Sequence, residues 1–202
     1  MPGMGYIYLP VGSDEMLEFA NDWNTSRKRR GEAELPVIAT TSRGAMKVIR
    51  RLCGHGNLRH VGTEDTLFVI AHGSSQGSRY IGAARDAHRE LRRGVTVWEG
   101  GTMKKWSPQE FAQHLEKEGL PKGFRDLRLV ACGSGLKSPK AERPYGEGLF
   151  NALRANGYWR IQVIGYLGAV RFTDIYGLTV EYASQSGGLT LEPGEEFTRT
   201  WM

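Results

Sequence analysis

Leu127-Arg128-Leu129-Val130-Ala131-Cys132-Gly133-Ser134-Gly135 decides the reading of this chain, together with Leu67-Phe68-Val69-Ile70-Ala71-His72-Gly73-Ser74-Ser75. Each is a short apolar run that stops on a reactive side chain followed by glycine and serine. Such runs, bounded by turn signals, have the composition of central strands in a parallel sheet, buried on both faces. Ligands and chemistry in these sheets gather beyond the carboxyl ends of the strands. If the two strands are parallel neighbours, His72 and Cys132 emerge side by side at one edge. A thiol with an imidazole in reach is the minimal unit of nucleophilic cysteine catalysis.

Strand-His-Gly followed 60 positions later by strand-Ala-Cys-Gly-Ser, with a helix between, resembles the caspase-like (clan CD) cysteine peptidases. Within them the chain is most similar to the cysteine peptidase domains of bacterial toxins that inositol hexakisphosphate activates. The resemblance runs from about Leu67 to Tyr166; the first sixty residues and the last thirty do not share it. It implies a caspase-like domain, cleavage of peptide bonds in a protein or peptide substrate, and action as a toxin or effector in a host or target cell. It implies Cys132 as nucleophile, His72 as the group that protonates the leaving amine, and the backbone N–H groups of Gly73 and Cys132 as oxyanion donors. No cofactor is required on this reading; inositol hexakisphosphate is the implied activator.

A free thiol titrates near pKa 8.5 and needs help to ionise at neutral pH. His72 would supply that help as ion-pair partner or as base. Glycine at 73 makes physical sense, because a side chain there would crowd a substrate carbonyl. Ser74 and Ser134 lie near the pair without an assigned role, and neither Asp65 nor Asp174 qualifies as a third member. The same pair would also serve a thiol hydrolase or acyltransferase acting on a non-peptide bond.

The 202 residues fit a single domain, 1–202, and 40% apolar with 24% charged residues suffices for a real core. A net charge of +5 and a pI near 9.3 suggest attraction to polyanions. The excess gathers in Arg27 to Arg30, Arg92-Arg93, Lys104-Lys105 and Lys137 to Arg143. Lys137, Lys140 and Arg143 follow Cys132 closely and are the candidate ligand-binding residues for an inositol polyphosphate. A basic α/β module that binds polyanion or nucleic acid without catalysis is the competing reading. The interspersed glutamates and the lack of a nucleic-acid motif argue against it.

No 18-residue apolar run is present, so no membrane span is expected. The first residues lack a charged head and an apolar core, so the expectation is a non-Sec route of secretion or residence in the bacterial cytoplasm. The two cysteines, Cys53 and Cys132, do not call for a disulfide in a domain with a full core. Cys53, His55 and His60 lack the further ligands that a metal site needs.

The remaining pattern alternates strands with helices. Tyr6 to Val11 reads as a strand, and Ser13 or Asp14 caps a helix with Met16, Leu17, Phe19, Ala20 and Trp23 in one stripe. Leu35 to Thr40 is a second strand, followed by a helix carrying Ala45 to Leu52 and ending at Gly54. Arg85 to Arg93 reads as a short surface helix, and Val95–Trp98 with Met103–Trp106 as a hairpin about Gly100-Gly101. Ser107-Pro108-Gln109-Glu110 has the form of a capping box. Gly133 to Pro144 is a polar loop, Gly146 to Asn156 a helix closed by Gly157, Arg160 to Tyr166 a strand, and Leu178 to Ala183 one more. This order predicts an α/β three-layer sandwich, its sheet mostly parallel and helices on both faces.

Overall fold

The computed structural model describes residues 3–39, 51–52, 56–93, 95–173, 177–183, 189–193 and 198–202. The first apolar run forms β1 (Gly5–Leu9), and Ser13 caps α1 (Asp14–Arg29) by accepting from the Met16 N–H at 3.3 Å. Asp14 and Glu15 in the first turn, and Arg27 to Arg29 in the last, complement the helix dipole. Next come β2 (Val37–Ala39), β3 (Arg51–Leu52), a 3-10 turn (Asn57–His60) and β4 (Thr66–Ile70). The helix expected over Ala45 to Gly54 lies outside the described residues save for Arg51 and Leu52. Those two form a strand, which corrects the expected helix end.

A ribbon follows, made of β5 (Ile81–Arg85), β6 (His88–Arg92), β7 (Val95–Glu99) and β8 (Thr102–Trp106). It overturns two expectations. Arg85 to Arg93 is not helical, because Asp86 at φ 57 ends β5 and β6 pairs antiparallel with β7, Arg92 opposite Val95. β8 pairs with β5, Ile81 opposite Trp106, rather than with β7. Gly100 and Gly101, at φ 71 and 80, are therefore a kink opposite Asp86 and not a hairpin tip. A Cβ on Gly101 would lie 2.1 Å from the Arg85 carbonyl oxygen, so no other residue fits. Trp106 roots the ribbon in the core, stacked on His114 and edge-on to Phe111.

The capping box forms as the sequence predicts. Ser107 and Glu110 bond reciprocally at the start of α2 (Pro108–Lys117). Then come β9 (Asp126–Val130), α3 (Tyr145–Ala155), β10 (Gln162–Tyr166), β11 (Ala169–Thr173), β12 (Gly177–Ala183), β13 (Leu189–Pro193) and β14 (Thr198–Trp201). Gly157, at φ 88, follows the end of α3.

The main sheet has the order β14-β10-β9-β4-β1-β2-β3. All its pairings are parallel except β10 with β14. β4 and β9 are direct neighbours near its middle, with Ile70 opposite Val130. Ile7, Phe68 and Arg128 stand in one row and Tyr8, Val69 and Leu129 in the next, so successive rows face opposite sides. α1 covers the first side, where Trp23 meets Phe68 edge-on at 4.9 Å. α2 covers the second, where Tyr8 Oη and His114 Nε2 are 2.8 Å apart. α3 runs beside α2, and Tyr145 Oη reaches the Ser107 carbonyl. The protein is thus a mixed α/β fold with a mostly parallel sheet between helices. A separate antiparallel sheet, β11-β12-β13, follows β10. Among the described residues no helix is long and apolar enough to cross a membrane.

Candidate active site

The parallel pairing of β4 with β9 brings His72 and Cys132 to one edge of the sheet, each two residues beyond the Ile70–Val130 pair. β4 ends because His72 turns to bond Gly82 of β5 in both directions, N–H to carbonyl at 2.7 and 3.1 Å. The ribbon thereby fixes the histidine backbone.

Gly73 is then pressed against Cys132. A Cβ built on Gly73 would lie 2.3 Å from the Cys132 carbonyl oxygen and 3.2 Å from its nitrogen. Real Cβ atoms do not approach backbone so closely, so this contact demands glycine. The N–H groups of Gly73 and Cys132 donate to no acceptor among the described residues. Two free N–H groups on abutting backbones beside a thiol are the raw material of an oxyanion hole.

The turn after Cys132 is stitched to the end of β10. The Gly133 N–H donates to the Gly168 carbonyl at 2.8 Å and the Gly135 N–H to that of Tyr166 at 2.9 Å. Ser134 is fully buried; its hydroxyl donates to the Leu129 carbonyl and accepts from the Tyr166 N–H, both at 3.0 Å. Ser134 is therefore structural. The Cys132 sulfur, a free thiol, accepts from the Val170 N–H at 3.3 Å, which places the start of β11 directly against it. Ser74 is exposed and braces its own loop through Ser78.

His72 does not bond Cys132. Among the described residues no hydrogen bond joins imidazole and thiol; the ring reaches the other way, with Nε2 3.0 Å from Glu15 Oε1. Glu15 and Val170 are the site residues that sequence reading passes over. Glu15 takes its meaning from the sheet order. It is an acid in the first turn of the helix leaving β1, and β1 neighbours β4, so it arrives at the same edge as His72.

Of the candidate ligand residues, Lys140 and Arg143 come together with Arg79 around a cavity of about 410 Å³ that also includes Tyr80 and Tyr145. Lys137 is exposed and does not line it. The expected cationic clusters are otherwise broken up. Arg27 and Arg30 both pair with Glu32, and Arg92 with Glu90 and Glu99. Lys104 lies over the Trp106 ring. A larger cavity of about 990 Å³ lies between the loop after β1, the ribbon and α2. Its charges are mixed, with Arg85, Lys104 and Lys117 against Asp86, Glu110 and Glu118, and neither His72 nor Cys132 lines it. Cys53 and His55 lie outside the described residues. Among the described residues no group of three or more His, Cys, Asp or Glu is arranged to hold a metal ion.

No protein-family model matches the chain, and no curated protein matches its sequence.

Proposed function

We propose that the protein is a cysteine endopeptidase of the caspase-like class, working through Cys132 and His72. The observation that carries this reading is the pair of N–H groups at Gly73 and Cys132, unengaged among the described residues, beside a free thiol whose strand neighbour ends in histidine. In the reaction the Cys132 thiolate attacks the scissile carbonyl carbon, and the two N–H groups take up the charge on the carbonyl oxygen. His72 gives a proton to the departing amine as the C–N bond breaks, leaving a thioester on Cys132. Water then attacks that thioester, its proton passing to His72, and the C–S bond breaks to release the carboxylic acid product and restore the Cys132 thiolate. Each backbone donor aimed at the oxyanion contributes on the order of 10²–10³ in rate.

The toxin domains it resembles suggest an effector acting in a host or target cell, with an inositol polyphosphate as activator. The cavity shared by Arg79, Lys140 and Arg143 has an excess of cations near the loop after Cys132, although Glu142 also lines it and Arg143 lies 3.8 Å from Glu147. The competing reading, a basic polyanion-binding module, has less support because Arg27 and Arg30 are held by Glu32 and Arg92 by Glu99, which breaks up the wider basic surface it needs. A library of fluorogenic peptides, with and without inositol hexakisphosphate, tests the proposal. Cleavage abolished by both Cys132→Ala and His72→Ala supports it; cleavage that survives Cys132→Ala overturns it.

A further inference from the structure

Glu15, in the first turn of α1, is a buried carboxylic residue whose side chain is 10% exposed. A carboxylate taken out of water needs a partner, since its desolvation otherwise opposes folding. Among the described residues the group it faces is the His72 imidazole, whose Nε2 lies 3.0 Å from Glu15 Oε1. One helical turn on, Phe19 meets the same imidazole edge-on, with ring centroids 6.0 Å apart and planes at 84°. Positions four apart on a helix share a face, so α1 presents an acceptor and an aromatic edge to one ring. The His72 backbone is separately fixed by its two bonds to Gly82. The His72 side chain is otherwise open, 40% exposed, and nothing else described restrains its rotation.

We infer that Glu15 is a positioning residue for His72, with Phe19 as its second jaw. By accepting the Nε2–H, the carboxylate fixes the tautomer and plane of the ring and leaves Nδ1 as the nitrogen free to move a proton. A hydrogen bond to one ring nitrogen sets the role of the other. The packing follows from chain order. β1 delivers α1 to the edge where β4 ends, and Ser13 caps the helix so that its second residue faces the histidine. The catalytic consequence rests on the peptidase reading above; the orientation of the ring does not.

The experiment is histidine ¹⁵N NMR on the full chain, at a pH where His72 is neutral, beside peptidase kinetics. In the wild type, His72 should show one tautomer, protonated at Nε2. Glu15→Ala should give a mixture of tautomers and lower kcat by about 10²-fold with KM little changed, the size of a general acid–base contribution. Glu15→Gln keeps an acceptor oxygen and should restore most of the tautomer signature and part of the rate. If Glu15→Ala fails to fold, Glu15→Gln and Phe19→Leu carry the test, Phe19→Leu broadening the His72 signals without removing the acceptor. An unchanged His72 spectrum in Glu15→Ala, or in Phe19→Leu and Glu15→Gln together, overturns the inference. A lost tautomer preference in a protein that cleaves no peptide would uphold the positioning and sink the peptidase.

Discussion

A Cβ on Gly73 would stand 2.3 Å from the carbonyl oxygen of Cys132, so the residue after the histidine and the cysteine itself share one backbone contact. The φ of Gly73 is not in the left-handed region, so space alone requires glycine here. Gly73→Ala must push the Cys132 peptide away, and with it one or both free N–H groups. Overpacking of this kind costs about 1–3 kcal/mol of stability. Activity should fall further, by about 10²-fold or more, as expected when an oxyanion donor is lost. Urea unfolding and kcat/KM on the same preparation separate the two; activity that falls only as far as stability would contradict the contact's role.

Ser134 tests the floor of the site. Its hydroxyl is the partner of two buried backbone groups, the Leu129 carbonyl and the Tyr166 N–H. Ser134→Ala removes one hydrogen bond from each and should cost about 0.5–1.5 kcal/mol for each bond lost. Thermal denaturation checks this. An unchanged melting temperature would mean that another acceptor, such as water, replaces the hydroxyl.

The capping box predicts a pH signature. Hydrogen bonds from the Ser107 backbone N–H, and then from its side chain, hold the Glu110 carboxyl below its usual range. A depressed carboxylate contributes stability that is fully present above its unfolded value. That contribution is lost as pH falls through the lower, folded value. The difference in melting temperature between wild type and Glu110→Gln should therefore be present at neutral pH and close below the ordinary carboxylate range. Ser107→Ala, which removes the cap itself, should cost about 1 kcal/mol without touching the chemistry.

Local signals account for what the sequence discloses. The capping box, the Ser13 cap and the two apolar runs ending in His72 and Cys132 all depend on neighbours within a few residues, and all appear as expected. The ribbon does not depend on neighbours in that way. Gly100-Gly101 is a strong turn signal, yet β8 pairs with β5, from Arg85 opposite Thr102 to Ile81 opposite Trp106, where Trp106 and Ile81 enter the core together. Arg85 to Arg93 is rich in helix-compatible residues, but cross-strand pairing with β7 overrides that preference. Glu15 is equally illegible on its own, since its meaning comes from β1 lying beside β4.

The proposed anion site makes a separate prediction. Lys140 and Arg143 share a cavity with Arg79, whereas Lys137 does not reach it. If inositol hexakisphosphate binds there, the melting temperature should rise at millimolar ligand, because binding to the folded state alone adds stability by mass action. Lys140→Glu with Arg143→Glu should abolish the rise, and Lys137→Glu should leave most of it. Equal loss from all three, or no rise at physiological salt, would remove this cavity from the account.

The central claim is that Cys132 is the nucleophile, and mass spectrometry after labelling with peptide electrophiles tests it most directly. A panel of warheads differing in the residue before the reactive group should modify the wild-type protein once, on Cys132. Labelling should persist in Cys53→Ala, disappear in Cys132→Ala and slow sharply in His72→Ala. Labelling confined to Cys53, or equal labelling of both thiols irrespective of peptide sequence, would contradict it.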